Sequence, residues 1–81
     1  MNDRMMYIDR EMIHALKEKW LRVLEKALRN EVTRLECAIE VWPLDEAIAE
    51  DLISTRHTYN AVMEGIEIKE EIKEKIKRRR Y

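Results

Sequence analysis

Residues 43–65 read PLDEAIAEDLISTRHTYNAVMEG, and they contain the one proline and the one glycine of the 81-residue chain. A helix that reaches Trp42 must end there, because the residue before a proline is driven out of the α region and Pro43 has no N–H to continue the helical hydrogen bonds. Asp45 follows with a short carboxylate that accepts hydrogen bonds from the free amides of a new helix. The stretch therefore predicts two helices joined by a turn at 42–44.

The chain before this turn has the pattern of one long amphipathic helix. Residues 3–42 lack both glycine and proline, and Asp3 and Asp9 are alternative candidates for its N-terminal cap. The predicted helix covers about 9–41, which is roughly 50 Å at ~1.5 Å per residue. Apolar residues recur every three or four positions along it, and we expect them to form its inner face: Ile13, Leu16, Trp20, Leu24, Leu28, Val32, Leu35, Ile39 and Trp42. Four further residues widen this predicted stripe at its edges: Leu21, Val23, Ala27 and Ala38.

The opposite face of this helix is charged. Glu18 precedes Arg22 by four residues, and Glu25 precedes Arg29 by the same spacing. Side chains four apart are neighbours on a helix, so the sequence predicts two surface ion pairs here.

The chain after the turn predicts a second helix over about 45–80, packed antiparallel on the first. Its apolar stripe consists of Leu44, Ile48, Leu52, Thr55, Tyr59, Val62 or Met63, and Ile66. Gly65 leaves two alternatives open: the helix continues through it, or Gly65 ends the helix and residues 69–80 form a third, short one.

Composition supports an all-α fold in one domain, residues 1–81, and leaves open an extra short helix at the N-terminus, at the C-terminus or at both. With a single glycine and a single proline, strands have almost no turn residues available. The 16 basic and 17 acidic side chains nearly cancel, which argues against nucleic acid as the partner. No apolar run reaches the roughly 18–20 residues of a membrane span, there is no signal-peptide core, and the single Cys37 suits a reducing compartment. We therefore expect a soluble, cytoplasmic protein without a membrane partner.

A hairpin of this size leaves apolar surface uncovered. Two helices bury only one face of each other, and Trp20, Trp42 and wide aliphatic stripes exceed what two faces hide. We expect a homo-oligomeric helical bundle, with the apolar segment 5–8 as a candidate for exchange between subunits.

The polar run at 54–60 interrupts the second stripe with Ser, Thr, Arg, His, Thr, Tyr and Asn. Folding about Pro43 places residue 55 beside 31 and residue 57 beside 29, so a polar layer is expected halfway along the hairpin. Such a layer fixes register and oligomeric state. Alternatively, it forms a pocket for a ligand with phosphate and base, which guanidinium, aromatic and amide groups would bind. The third alternative is an exposed polar face. The candidate ligand-binding residues in this run are Arg56, His57, Tyr59 and Asn60.

Signals for catalysis are weak. Glu11 and His14 have the Glu-x-x-His spacing of dinuclear carboxylate sites, with 70–74 expected at the same end of the hairpin, but a solvated His14 is the preferred interpretation. Cys37 and His57 lack a third group, and no glycine loop is available for phosphate. We expect no enzymatic activity, no cofactor and no metal ligand. The basic end at 75–80 complements the dipole of a helix C-terminus or holds an acidic partner.

In layout the chain resembles the phage anti-defence proteins that sequester cyclic oligonucleotides between protomers, as sponges of CBASS immune signals. The resemblance rests on a short chain with an aromatic N-terminal piece, a long helical hairpin and expected oligomerisation. It implies cyclic-nucleotide binding by an N-terminal tyrosine and a basic residue of the following helix, which Tyr7 and Arg22 match. Arg56 and Asn60 would then serve a second pocket.

The sequence thus predicts a non-enzymatic, oligomeric helical binding protein that acts as a protein-interaction adaptor or inhibitor. The alternatives are the cyclic-oligonucleotide sponge and a carboxylate-bridged metal protein. Expected partners are the chain itself and either a macromolecule or a nucleotide-like small ligand.

Overall fold

The structure, a computed structural model, describes residues 10–79 and has three helices in that range. Helix α1 spans Arg10–Ala15, α2 spans Glu18–Val41 and α3 spans Glu46–Arg79. No residue between 10 and 79 is in a strand. The prediction of an all-α chain built on two long helices in a hairpin is confirmed. Predictions that involve Asp3, segment 5–8, Tyr7, Asp9 or residue 80 lie outside the described residues.

The turn between the long helices forms as its sequence predicts. The Trp42 N–H donates to the Ala38 carbonyl at 2.9 Å, and the Asp45 N–H donates to the Trp42 carbonyl at 3.1 Å across Pro43. Asp45 Oδ1 accepts a hydrogen bond from the Ile48 N–H at 3.1 Å, so this carboxylate caps α3.

Helix α3 runs through Gly65 without a break, and its 34 residues make it the longest element. At ~1.5 Å per residue it measures about 51 Å, against about 36 Å for the 24 residues of α2. The start of α2 lies beside Lys73, whose Nζ is 2.8 Å from Glu18 Oε1. Residues 74–79 therefore extend beyond the first residue of α2, and we call the C-terminal segment of α3 from residue 68 to residue 79 the α3 arm.

The predicted helix over 9–41 is interrupted at Leu16–Lys17, which corrects the expectation of one continuous element. Lys17 is extended (φ −65°, ψ 148°). The interruption lets α1 fold onto α3, where Ile13 is 1% exposed in a cluster with Ala61, Val62 and Ile66. Burying an aliphatic side chain contributes about 1.5–3 kcal/mol, which offsets the helical hydrogen bonds lost at the break.

The interruption also changes which residues of α2 face inward. Leu21, which the sequence predicts at the edge of the stripe, is fully buried against α1 and α3. Trp20 and Trp42, predicted on the inner face, are more than half exposed. Further toward the turn, Leu35 and Leu52 are buried as predicted, whereas Leu44 is 93% exposed.

No helix in the described part of the chain is long and apolar enough to cross a membrane.

Candidate interaction surfaces

A row of exposed, mostly apolar residues lies on the side of α2 that faces away from α3. We call it the outer stripe, and all of its members are exposed: Trp20, Val23, Ala27, Asn30, Arg34, Cys37 and Val41. They alternate spacings of three and four residues, which is the pattern of a helix-packing seam. At about 100° per residue, the outer stripe lies about 130° around the helix from Leu21 and Leu35. Helix α2 therefore carries apolar side chains on two separate faces, one buried and one exposed.

The outer stripe continues into the exposed end of the hairpin. Val41 is 67% exposed and Trp42 63%, and Leu44 follows in the turn. Ile53, in the second turn of α3, is also exposed. This half of the hairpin therefore exposes one tryptophan and three large aliphatic side chains.

A further apolar surface lies on the C-terminal half of α3. Ile68, Ile72 and Ile76 recur every four residues and are exposed. Between 69 and 79 the helix also carries six basic and three acidic side chains. The arm therefore presents an isoleucine stripe with positive charge concentrated at its end.

An ion-pair cluster joins the start of α2 to α3 and includes the predicted ligand residue Arg22. Glu18 accepts from Arg22 Nε at 3.0 Å and pairs with Lys73, while Arg22 Nη2 lies 2.7 Å from Glu70 Oε1. Hydrogen bonding from Lys73 and then from Arg22 lowers the pKa of Glu18, and hydrogen bonding to Glu18 and Glu70 raises the pKa of Arg22. The guanidinium is thus engaged by two carboxylates of its own chain. The predicted four-residue pairs form at Glu18–Arg22 and, at 3.5 Å, at Glu25–Arg29.

The polar run of α3 contributes to an open groove of about 300 Å³ beside α2. Its walls are formed by Arg29, Val32, Thr33, Glu36, Arg56, Tyr59 and Asn60. Arg56 Nη2 lies 2.8 Å from Glu36 Oε2, and the Tyr59 hydroxyl donates to Glu25 at 3.4 Å. The groove thus brings together three of the predicted ligand residues, and its arginines are matched by glutamates.

The structure separates the other predicted ligand residues from this groove. His57 is exposed and does not line it, and Arg22 lies in the ion-pair cluster at the other end of α2. Tyr7 lies outside the described residues. Within the single chain the run is not a buried polar layer, because Thr55, Thr58 and Tyr59 are half-buried and the long polar side chains are exposed.

His14 occupies a packed position rather than the solvated one that the sequence suggests. It is half-buried, its Cδ2 lies 3.1 Å from the position that a Cβ on Gly65 would take, and Nε2 finds no hydrogen-bond partner among residues 10–79. The same range contains no group of three or more His, Cys, Asp or Glu side chains placed to hold a metal ion. Among these described residues, Glu11 and His14 thus do not belong to a group that holds the further carboxylates of a dinuclear site.

Sequence reasoning missed the outer stripe because it assigned Trp20, Val23 and Ala27 to the inner face. The signal was present in the unbroken alternation of three and four residues from 20 to 41. With polar Asn30 and Arg34 at its centre, this alternation did not stand out in a search for apolar residues.

Comparison with known proteins identifies no relative. No family model matches the chain, and neither a curated protein nor a solved structure is detectably similar to it.

Proposed function

We propose that this chain is a non-enzymatic, homo-oligomeric interaction protein that binds a protein partner as an adaptor or inhibitor. One observation carries the proposal: in residues 10–79, ten large hydrophobic side chains are exposed and seven hydrophobic residues are buried. The radius of gyration is 15.8 Å, whereas a compact domain of 81 residues measures about 12 Å. A chain that presents this much apolar surface in an extended shape is suited to contacts with other chains.

The α3 arm is the proposed surface for the partner. Ile72 and Ile76 lie one helical turn apart on a segment that extends to and beyond the start of α2. A helix with apolar anchors every four residues fits an apolar groove on another protein. Lys77, Arg78 and Arg79 follow the anchors, so the partner should carry acidic residues at the rim of that groove.

Substitution of the two anchors tests this proposal. The full-length chain, immobilised and exposed to lysate of its source organism, is expected to retain a stoichiometric acidic protein. Retention should fall at least about tenfold in the double variant Ile72→Glu and Ile76→Glu, because charges would enter an apolar groove. Both side chains are already half exposed, so thermal unfolding of the variant should match that of the wild type.

The matched control is Ile53→Glu, which alters an isoleucine that is 69% exposed in the half of α3 nearer the turn, against 50% for Ile72 and 51% for Ile76. It should leave retention unchanged. If all three proteins retain the same set of polypeptides, the arm is not the binding surface.

A second candidate function is cyclic-oligonucleotide capture, and the grouping of Arg29, Arg56, Tyr59 and Asn60 in one groove favours it. A phosphate would have to displace Glu36 from Arg56, while Tyr59 offers an aromatic face. Cyclic di- and trinucleotides should then raise the melting temperature of the wild type, and Arg56→Ala should abolish the shift while Arg79→Ala retains it. Absence of a shift with every cyclic nucleotide rules this candidate out.

A further inference from the structure

We propose that a second copy of this chain packs antiparallel on the outer stripe of α2, about a two-fold axis that crosses the stripe midway between Asn30 and Arg34. The inference rests on the self-association in the proposed function and assigns its surface and orientation. It is independent of what the α3 arm binds.

The first reason is the period of the outer stripe. Its members recur every 3.5 residues on average over 21 residues, or roughly 32 Å of helix. A 3.5-residue period keeps a seam facing a second helix along its whole length, whereas a single contact point needs no such regularity. Helix α3 already covers the other face, so the seam is free for another chain.

The second reason is the order of side chains, which identifies the occupant. From Trp20 the stripe reads large, aliphatic, small and polar; from the far end, beginning with exposed Leu44 in the turn, it reads the same. With Leu44 of the turn added to the seven residues of the outer stripe, the order is Trp20, Val23, Ala27, Asn30, Arg34, Cys37, Val41 and Leu44. A two-fold interface must be complementary to itself, so a pattern symmetric about its midpoint fits a second copy better than an unrelated protein.

The antiparallel alignment brings like positions together. Val23 faces Val41 of the second copy, Ala27 faces Cys37, and Asn30 faces Arg34. Trp20 meets Leu44, so the two ends of the row cover each other. Asn30 offers its amide oxygen to Arg34, which its own chain already pairs with Glu31.

Parallel alignment is less favourable. It would place Arg34 against Arg34 inside the seam, where like charges repel. Shifting an antiparallel pair by one heptad would set Val23 against Arg34 and leave Val41 and Leu44 uncovered. In the proposed register, Lys26 lies near Glu40 of the second copy on the flank of the seam, which adds two attractive pairs.

The accessible surface area of the chain is large enough to lose the area of a dimer interface. The accessible surface is 7117 Å², against roughly 5,200 Å² for a compact protein of 9.9 kDa. A standard interface removes about 800 Å² from each partner, so the excess is large enough to supply one. Because α3 ends near the start of α2, the antiparallel dimer would carry its two arms at opposite ends.

Cysteine cross-linking of the full chain tests the orientation. Ala27→Cys, with native Cys37 retained, places two thiols opposite each other twice across the seam. Mild oxidation at micromolar concentration should convert most of this variant to a covalent dimer. The wild type should form no covalent dimer under the same oxidation. Its two Cys37 residues would lie ten residues apart along the seam, about 15 Å, which is beyond the Cα–Cα distance of about 4.4–6.8 Å that a disulfide allows.

Two further variants serve as controls. Arg29→Cys, on another exposed side of α2, should not cross-link. If Ala27→Cys disturbs the fold, Val23→Cys combined with Val41→Cys in a Cys37→Ser background should cross-link in its place.

Light scattering of the wild type must first give a dimer; a monomer would overturn self-association itself. A dimer in which Cys37 alone cross-links would establish parallel pairing, and a dimer in which neither designed pair cross-links would place the interface elsewhere. Either result would overturn the inference while leaving the proposed function standing.

Discussion

Leu21→Ala is expected to lower the free energy of unfolding by about 2–5 kcal/mol, because the leucine fills the centre of the largest core cluster. Its side chain is 0% exposed and packs with Ile13, Val62 and Ile66. Truncation removes buried methyl groups and leaves a cavity that three helices would have to close. A chain of 81 residues has a total stability of roughly 4–12 kcal/mol, so this one change removes a large share of it.

The measurement is urea unfolding followed by circular dichroism at one fixed protein concentration, since association contributes to the apparent stability. Ile53→Ala is the matched control, because it truncates an aliphatic side chain that is 69% exposed, and it should cost less than about 1 kcal/mol. Equal losses in the two variants would mean that the core is not centred on Leu21.

The turn and the two long helices were predictable because their signals are local. Pro43 removes a donor and restricts its neighbour, and Asp45 caps the helix that follows, whatever the rest of the chain does. The break at Leu16–Lys17 has no such signal, since neither glycine nor proline lies near it. It follows from the burial of Ile13 against α3, which is a tertiary effect that overrides local helix propensity.

The sequence predicted three residues that line the candidate groove, but it did not predict which residues of α2 they face. The polar run drew attention to Arg56, Tyr59 and Asn60, which do line one surface. However, Arg56 pairs with Glu36, nearer the turn than the neighbours predicted for it. The same limit applies to Arg22, because its pair with Glu18 follows from spacing within one helix, whereas its pair with Glu70 depends on how α2 and α3 align. An arginine side chain can pair with any of several carboxylates on the neighbouring helix. The position of the turn alone therefore does not determine which ion pairs form between α2 and α3.

Gly65→Leu is expected to destabilise the protein by about 1–3 kcal/mol and to release α1 from α3. A Cβ at this position would stand 3.1 Å from His14 Cδ2 and 3.4 Å from Leu21 Cδ1, so the longer leucine side chain has no space. Gly65→Ala is the size control. Its methyl group needs only a small shift of the imidazole, and its higher helix propensity, worth up to about 1 kcal/mol, opposes the cost.

Removing the opposing ring should restore part of the loss. In the background of Gly65→Leu, His14→Ala opens space above residue 65, and a coupling energy of about 0.5–3 kcal/mol is expected in a double-mutant cycle. Tryptic cleavage after Lys17 provides a separate measure of α1, because this lysine joins α1 to α2 and becomes more accessible when α1 detaches. Unchanged stability together with unchanged cleavage in Gly65→Leu would show that α1 does not rest on this glycine. Faster cleavage together with an unchanged free energy of unfolding would show instead that α2 and α3 fold without α1. The glycine would then be needed only to let the short helix α1 approach α3.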